Sequence, residues 1–163
     1  MARSARELTR RIRALVVVFI AGLALSGITA FPLLHELDLL VAILGPPAGE
    51  GGFVWWISHV RTALAETYRV WPFLGYGTDW LAFGHLVIAL FFVGPLRDPV
   101  RNVWIIDAGL IACAGVIPLA LICGQIRGIP IYWRLIDCSF GVFGAVPLWW
   151  VRRMIRELEK ARG

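Results

Sequence analysis

The chain has 163 residues, of which 59% are hydrophobic and 17% charged, and its mean hydropathy is +0.75. A water-soluble domain of this length covers its surface with about a quarter charged residues. A soluble enzyme, a disordered tail and a nucleic-acid module therefore fit poorly, and the composition points to an all-α integral membrane protein. The net charge of +5 does not revive a nucleic-acid partner, because the basic residues gather in three short stretches rather than along one binding face.

The first of these stretches is Arg3, Arg6, Arg10, Arg11 and Arg13, followed at once by an apolar run from Ala14 to Phe31. A basic start before an apolar run is also the pattern of a cleaved signal peptide. This run is longer than a signal core, however, and Ile28-Thr29-Ala30 is a poor small-x-small cleavage site. An uncleaved helix spanning 14–31 is expected, long enough to cross a bilayer at about 1.5 Å per residue.

Residues 32–77 form a long segment without a span. Leu33 to Leu44 is apolar but carries His35, Glu36 and Asp38, which makes it too short and too charged to cross. It reads as an interfacial or re-entrant helix. Gly45 to Gly52 is a glycine- and proline-rich loop. Phe53 to Trp71 is an amphipathic helix with Ile57, Val60, Leu64 and Trp71 on one face and His59, Thr62, Glu66 and Arg69 on the other. Such a helix lies on a membrane surface. Pro72 to Gly77 is a turn.

Three more spans follow, over 78–94 (stopped by Pro95), 103–123 (with Pro118 inside) and 131–151 (with Pro147 near its end). Four crossings return the chain to its starting side, and the basic residues agree. Arg97 and Arg101 occupy the short loop between spans two and three. Arg152, Arg153, Arg156, Lys160 and Arg162 follow span four. Cationic loops stay on the cytoplasmic side, so both termini and the 96–102 loop are expected there, in a cytoplasmic (inner) membrane, with 32–77 outside. Attraction to anionic lipid is a further role for these charges. The mixed tail, with Glu157 and Glu159 among its basic residues, reads as a solvated charge run. Trp104, Trp149 and Trp150 fall at the inner boundary. Trp55, Trp56, Trp71, Trp80 and Trp133 fall at or beyond the outer one, where an indole meets both lipid and water.

Small residues at helical spacing suggest close packing at Gly22, Ser26 and Thr29 on span one, at Ala108 and Ala112 on span three, and at Gly141 and Ala145 on span four. They would serve a four-helix bundle or a homo-oligomer face. Neither an internal repeat nor paired halves of the inverted-repeat transporter kind is present. The odd count of three cysteines argues against a disulfide framework. A Cys123–Cys138 bridge would need two residues at different depths to meet, and disulfides tolerate little misfit.

Ionisable residues inside lipid are costly and are candidates for function. Three lie away from the outer ends of the spans: His85, Asp107 and Asp137. Asp107 lies near the inner boundary, where Arg97 or Arg101 could pair with it. His85 and Asp137 lie about 10 Å and about 9 Å below the outer boundary. Each sits on a stripe of small or polar residues: Thr78, Ala82, His85 and Ala89 on span two, and Arg134, Asp137, Cys138, Gly141 and Ala145 on span four. If the stripes meet, His85 and Asp137 share an outward-facing polar pocket. Asp79, Trp80, Arg127, Tyr132 and Arg134 would stand at its mouth, with His59 in the segment above. The structural alternative is a polar network that fixes helix register, in which Arg134 neutralises Asp137.

A histidine beside a carboxylate can relay protons, an arginine rim can hold an anion, and tryptophans can stack on a ring. These groups suit a small amphiphile, a lipid headgroup or a quinone. A bis-histidine b-type haem would need a second histidine facing His85 inside the bundle, and His35 and His59 belong to the outer segment, which leaves His85 as a single ligand or His85 with His59. No cluster of ligands suggests zinc or another metal, and no motif marks a nucleophile. The expected function is therefore a binding or accessory role in the membrane, with a small amphiphile or a membrane protein as partner. A small redox protein using haem or quinone through His85 is the alternative.

Overall fold

The computed structural model describes residues 4–161, so Arg3 and Arg162 of the two basic ends lie outside the described residues. Every regular element among those residues is helical. In chain order these are α1 (Ala5–Ala30), α2 (Leu33–Leu44), α3 (Phe53–Val70), a 3₁₀ turn (Pro72–Leu74), α4 (Gly75–Phe91), α5 (Val93–Arg97) and α6 (Val103–Pro118). A π-helical turn (Leu119–Cys123), α7 (Gly124–Ile126) and α8 (Ile131–Lys160) complete the chain. Four segments are long and apolar enough to cross a membrane: Ala5–Ala30, Pro72–Arg97, Val103–Ile126 and Ile131–Lys160.

A helical segment long enough to cross thus stands at each of the four apolar runs, and each segment is longer than its run. α1 begins nine residues before Ala14, and α8 continues nine residues past Val151. At about 1.5 Å per residue, α8 is about 45 Å long, against about 30 Å of hydrocarbon in a bilayer. The second segment runs through Pro95 to Arg97, but its helix breaks before the proline. Proline has no N–H to give the carbonyl four residues back and its ring crowds that carbonyl, so α4 stops at Phe91 and Pro95 sits inside the short α5. At Pro118 the helical path does not break: α6 runs directly into the π turn and then α7.

The chain groups into two compact units, Met1–Gly22 with Ala89–Gly163, and Leu23–Ile88. The first unit contains most of the well-buried apolar side chains. Leu8, Ile12 and Val16 recur at helical spacing on α1, and Leu148, Val151, Ile155 and Leu158 follow a three-four-three spacing on α8. All seven are at most 2% exposed. The tail expected as a solvated charge run is therefore the end of an amphipathic helix, with Met154, Ile155 and Leu158 buried between its charges. Arg13 fixes α1 to the end of α5, donating from Nε to the Leu96 carbonyl at 3.1 Å and from Nη2 to the Arg97 carbonyl at 3.5 Å. Cations are favoured at a helix C-terminus, where carbonyls lack partners.

α6 and α8 pack as an antiparallel pair along their length. At one end the Arg152 guanidinium meets the Asp107 carboxylate at 2.7 Å. Next, a Cβ added to Gly109 would stand 2.8 Å from Leu148, and one added to Gly141 would stand 2.5 Å from the Cys113 carbonyl oxygen. Cys138 approaches the Ile117 carbonyl at 4.0 Å. At the far end Arg134 reaches the Leu121 carbonyl and Gln125. The pair is closed by a turn in which Ile129 N–H bonds to the Gly124 carbonyl and Gly128 N–H to the Gln125 carbonyl. This double bond pattern needs a left-handed residue at the helix end, and Gly128 supplies it with φ +70°.

Two of the three expected small-residue stripes are out of phase with this packing. Ala108 and Ala112 are exposed, and the seam runs one residue later, through Gly109 and Cys113. Gly22 and Ser26 are also exposed, with nothing within 4 Å of a Cβ at Gly22. The tight approach on α1 is at Gly27, in the second unit, where an added Cβ would meet the Ala82 carbonyl oxygen at 2.8 Å. Gly141 is buried in its seam, as expected. All three cysteines are free thiols, so Cys123 and Cys138 are not bridged.

In the second unit α2 and α3 form a helical hairpin joined by the loop 45–52. Leu37 and Ile57 are buried, and Val60 and Leu64 are half-buried on the face assigned to them. Trp71 leaves that face because the helix ends one residue before it, and its side chain is exposed.

Candidate functional site

His85 is half-buried on α4. Its Nδ1 lies 2.8 Å from the Leu81 carbonyl oxygen one turn earlier. A carbonyl only accepts, so Nδ1 carries the proton and Nε2 takes no part in this bond. The backbone of α1 comes close here, since a Cβ on Gly27 would stand 3.1 Å from the His85 Cβ. On the same stripe Ala82 and Ala89 are buried and Thr78 is half-buried. Asp79 and Trp80 sit on the exposed part of α4, and Trp80 meets Tyr76 and Phe83 edge to face at 5.9 and 6.0 Å. His59, exposed on α3, stacks on Trp55 with centroids 4.8 Å apart. These four candidate residues belong to the second unit.

Asp137, Arg134, Arg127 and Tyr132 belong to the first. Asp137 is half-buried on α8. Arg134 does not serve as its counter-ion. Its Nη1 donates to Gln125 Oε1 at 3.1 Å and to the Leu121 carbonyl at 3.3 Å, so it closes the widened end of the α6 segment. Gly124 makes room for this, because any Cβ there would lie 2.7 Å from the Arg134 Cγ and Cδ. The arginine stem therefore lies flat against the α7 backbone. Arg127 is exposed in the turn that follows. Asp107 pairs with Arg152 rather than with Arg97 or Arg101. The antiparallel register of α6 and α8 decides this, since it brings residue 152 level with residue 107.

The cleft that sequence reasoning missed lies in the α2–α3 hairpin. It is open, about 290 Å³ in volume, and lined by Asp38, Val41, Ala42, Ser58, Arg61 and Thr62. Arg61 Nε donates to Asp38 Oδ1 at 2.7 Å. Thr62 Oγ1 donates back to the Ser58 carbonyl, as hydroxyls on helices do. The Ser58 hydroxyl is buried and has no hydrogen-bond partner, which leaves one polar group unsatisfied at the cleft. Leu39, Leu40, Ile43 and Leu44 are exposed on another face of α2. Two features of the sequence pointed here. Asp38 interrupts an apolar run, and Arg61 is one of four basic residues outside the three basic stretches. A paired cation and anion with a spare hydroxyl can exchange hydrogen bonds with a polar head, and Val41 and Ala42 offer it a small apolar wall.

Among the described residues no three His, Cys, Asp or Glu side chains gather as metal ligands. No protein-family model matches the chain, and no curated protein or solved structure matches it.

Proposed function

We propose that the chain is a multi-pass protein of the cytoplasmic membrane, with both termini cytoplasmic, and that its work is to bind rather than to catalyse. Its ligand on this reading is a small amphiphile taken from the outer side, from the bilayer or from a membrane partner. The observation that supports it best is the α2–α3 cleft, where an ion pair and an unsatisfied hydroxyl share the lining with Val41 and Ala42. Charged and polar groups next to apolar surface are what a ligand with a head and a tail requires.

The test is a native mass spectrum of the protein released from detergent. A bound mass in the range of a lipid or quinone, lost from Arg61→Gln and Asp38→Asn, supports the reading at this cleft. A bound mass lost instead from Asp137→Ala moves the site to α8. A bare monomer, homo-oligomer or heteromer overturns the small-ligand reading in favour of protein interaction.

A second reading rests on His85. Its Nδ1–H is held by the Leu81 carbonyl, which fixes the tautomer and orients Nε2, as backbone partners do for ligating histidines. On this reading Nε2 would coordinate haem iron or accept a proton from a quinol. A reduced-minus-oxidised spectrum without a Soret feature removes the haem version. A spectrum that survives His85→Ala removes His85 as the ligand.

A further inference from the structure

We infer that the N-terminal part of α1 carries a binding groove for the headgroup of an anionic phospholipid. The groove is open, about 410 Å³ in volume, and lined by Ala5, Arg6, Thr9, Arg10 and Arg13. The three arginines follow a four-three spacing, so their side chains stand on one face of the helix. The opposite face is fixed by the buried Leu8, Ile12 and Val16. The helix is therefore locked in rotation, and the guanidinium row points in one direction.

The charges in this row are free to take an anion. Arg11, which is off the row, holds Glu7 at 2.8 Å. Arg13 donates to two backbone carbonyls, which position it without neutralising it. Arg6 and Arg10 are exposed and make no ion pair with any described residue. No carboxylate lines the groove. An arginine fork matches the oxygens of a phosphate, and two or three on one face can share them.

Depth selects a lipid as the source of that phosphate. This step rests on the membrane reading proposed above. The apolar run begins at Ala14, so Arg13 stands at the edge of the hydrocarbon. Arg10 lies about 4.5 Å and Arg6 about 10 Å further out along the helix. The headgroup layer is about 5–7 Å thick on each side of the bilayer. Arg13 and Arg10 therefore lie within it, Arg6 stands about 3 Å beyond it with a side chain long enough to reach back, and the groove opens where phospholipid phosphates sit.

The test compares lipid retention in native mass spectra of the full-length protein, exchanged with phosphatidylglycerol or with phosphatidylcholine. The wild type should retain phosphatidylglycerol in preference to phosphatidylcholine. The double variant Arg6→Gln with Arg10→Gln should bind it about tenfold or more weakly, since each arginine near an anionic surface contributes about fivefold. The variant Arg156→Gln with Lys160→Gln removes the same charge from the tail and should keep the preference. Equal retention of the two lipids by the wild type overturns the proposal. So does an equal loss in both double variants, which would mean that net charge rather than the groove attracts the lipid. Failure of the membrane reading would appear separately, as extraction of the protein from membranes by alkaline carbonate without detergent.

Discussion

At Gly141 an added methyl group would stand 2.5 Å from the Cys113 carbonyl oxygen, and the backbone carrying that oxygen cannot yield without parting α6 from α8. Gly141→Ala should therefore lower stability, by about 1–3 kcal/mol on the scale of overpacked cores. Gly22→Ala is the control. Nothing lies within 4 Å of a Cβ there, and replacing a helical glycine by alanine should stabilise by about 0.5–1 kcal/mol. Melting temperatures of the two variants in the same detergent should move in opposite directions; a similar shift for both would show that the seam is not as close as described. The pair also shows what composition alone could reveal. Small residues on a span announced close packing, but several phases of the stripe were open on α1 and α6. The phase is set by the facing helix, through Leu148 at Gly109 and Ala82 at Gly27, and neither partner is implied by the small residue itself.

At the scale of elements, the turn between α7 and α8 depends on a backbone conformation that side chains resist. Gly128 has φ +70°, so Gly128→Ala should cost about 1–2 kcal/mol, read as a lower melting temperature of the detergent-purified protein. An unchanged melting point would mean that the turn relaxes without loss. The far end of the same pair is closed by Asp107 and Arg152, about a quarter to two-fifths exposed. Protein encloses the pair only in part, at the inner boundary where headgroups and water reach it on the membrane reading, so a double-mutant cycle with Asp107→Asn and Arg152→Gln should give a coupling of only about 0.2–1 kcal/mol. A coupling near zero would show that the register of α6 against α8 does not need it. Helix existence and approximate bounds were legible in the sequence, because apolar runs, prolines and glycines act locally. The partners were not. Asp38 with Arg61 and Asp107 with Arg152 are joined by the register of two hairpins, and register follows from turn geometry and from which glycines admit a neighbour. For the same reason the polar cleft of the α2–α3 hairpin stayed hidden, although both of its charges stood out as anomalies in their segments.

For the whole molecule, the distribution of charge and the lengths of the helices make one joint prediction about topology. Four segments can cross, the basic residues gather at both ends and in the loop around residues 97–101, and the 45–52 loop carries no cation. If cationic segments are retained inside, a cysteine at Glu50 and one at Arg101 must lie on opposite sides of the membrane. In a background with Cys113, Cys123 and Cys138 changed to alanine, Glu50→Cys should react with a membrane-impermeant maleimide in intact cells. Arg101→Cys should react only after permeabilisation. Both positions are exposed, so failure to label reports the barrier and not burial within the protein. The unsubstituted protein, which keeps its natural thiols, provides a separate comparison. Cys123, exposed at the end of the third crossing segment, should label from the same side as Glu50→Cys. Cys113, ten residues earlier and about 15 Å deeper along the helix, should stay unreactive until the protein is denatured. Labelling of Arg101→Cys and not of Glu50→Cys in intact cells would invert the chain and place the α2–α3 cleft inside, where its ligand would have to be drawn from the cytoplasmic leaflet. Labelling of both would reduce the number of crossings, and α4, whose two ends separate the two positions, would be the segment that does not cross.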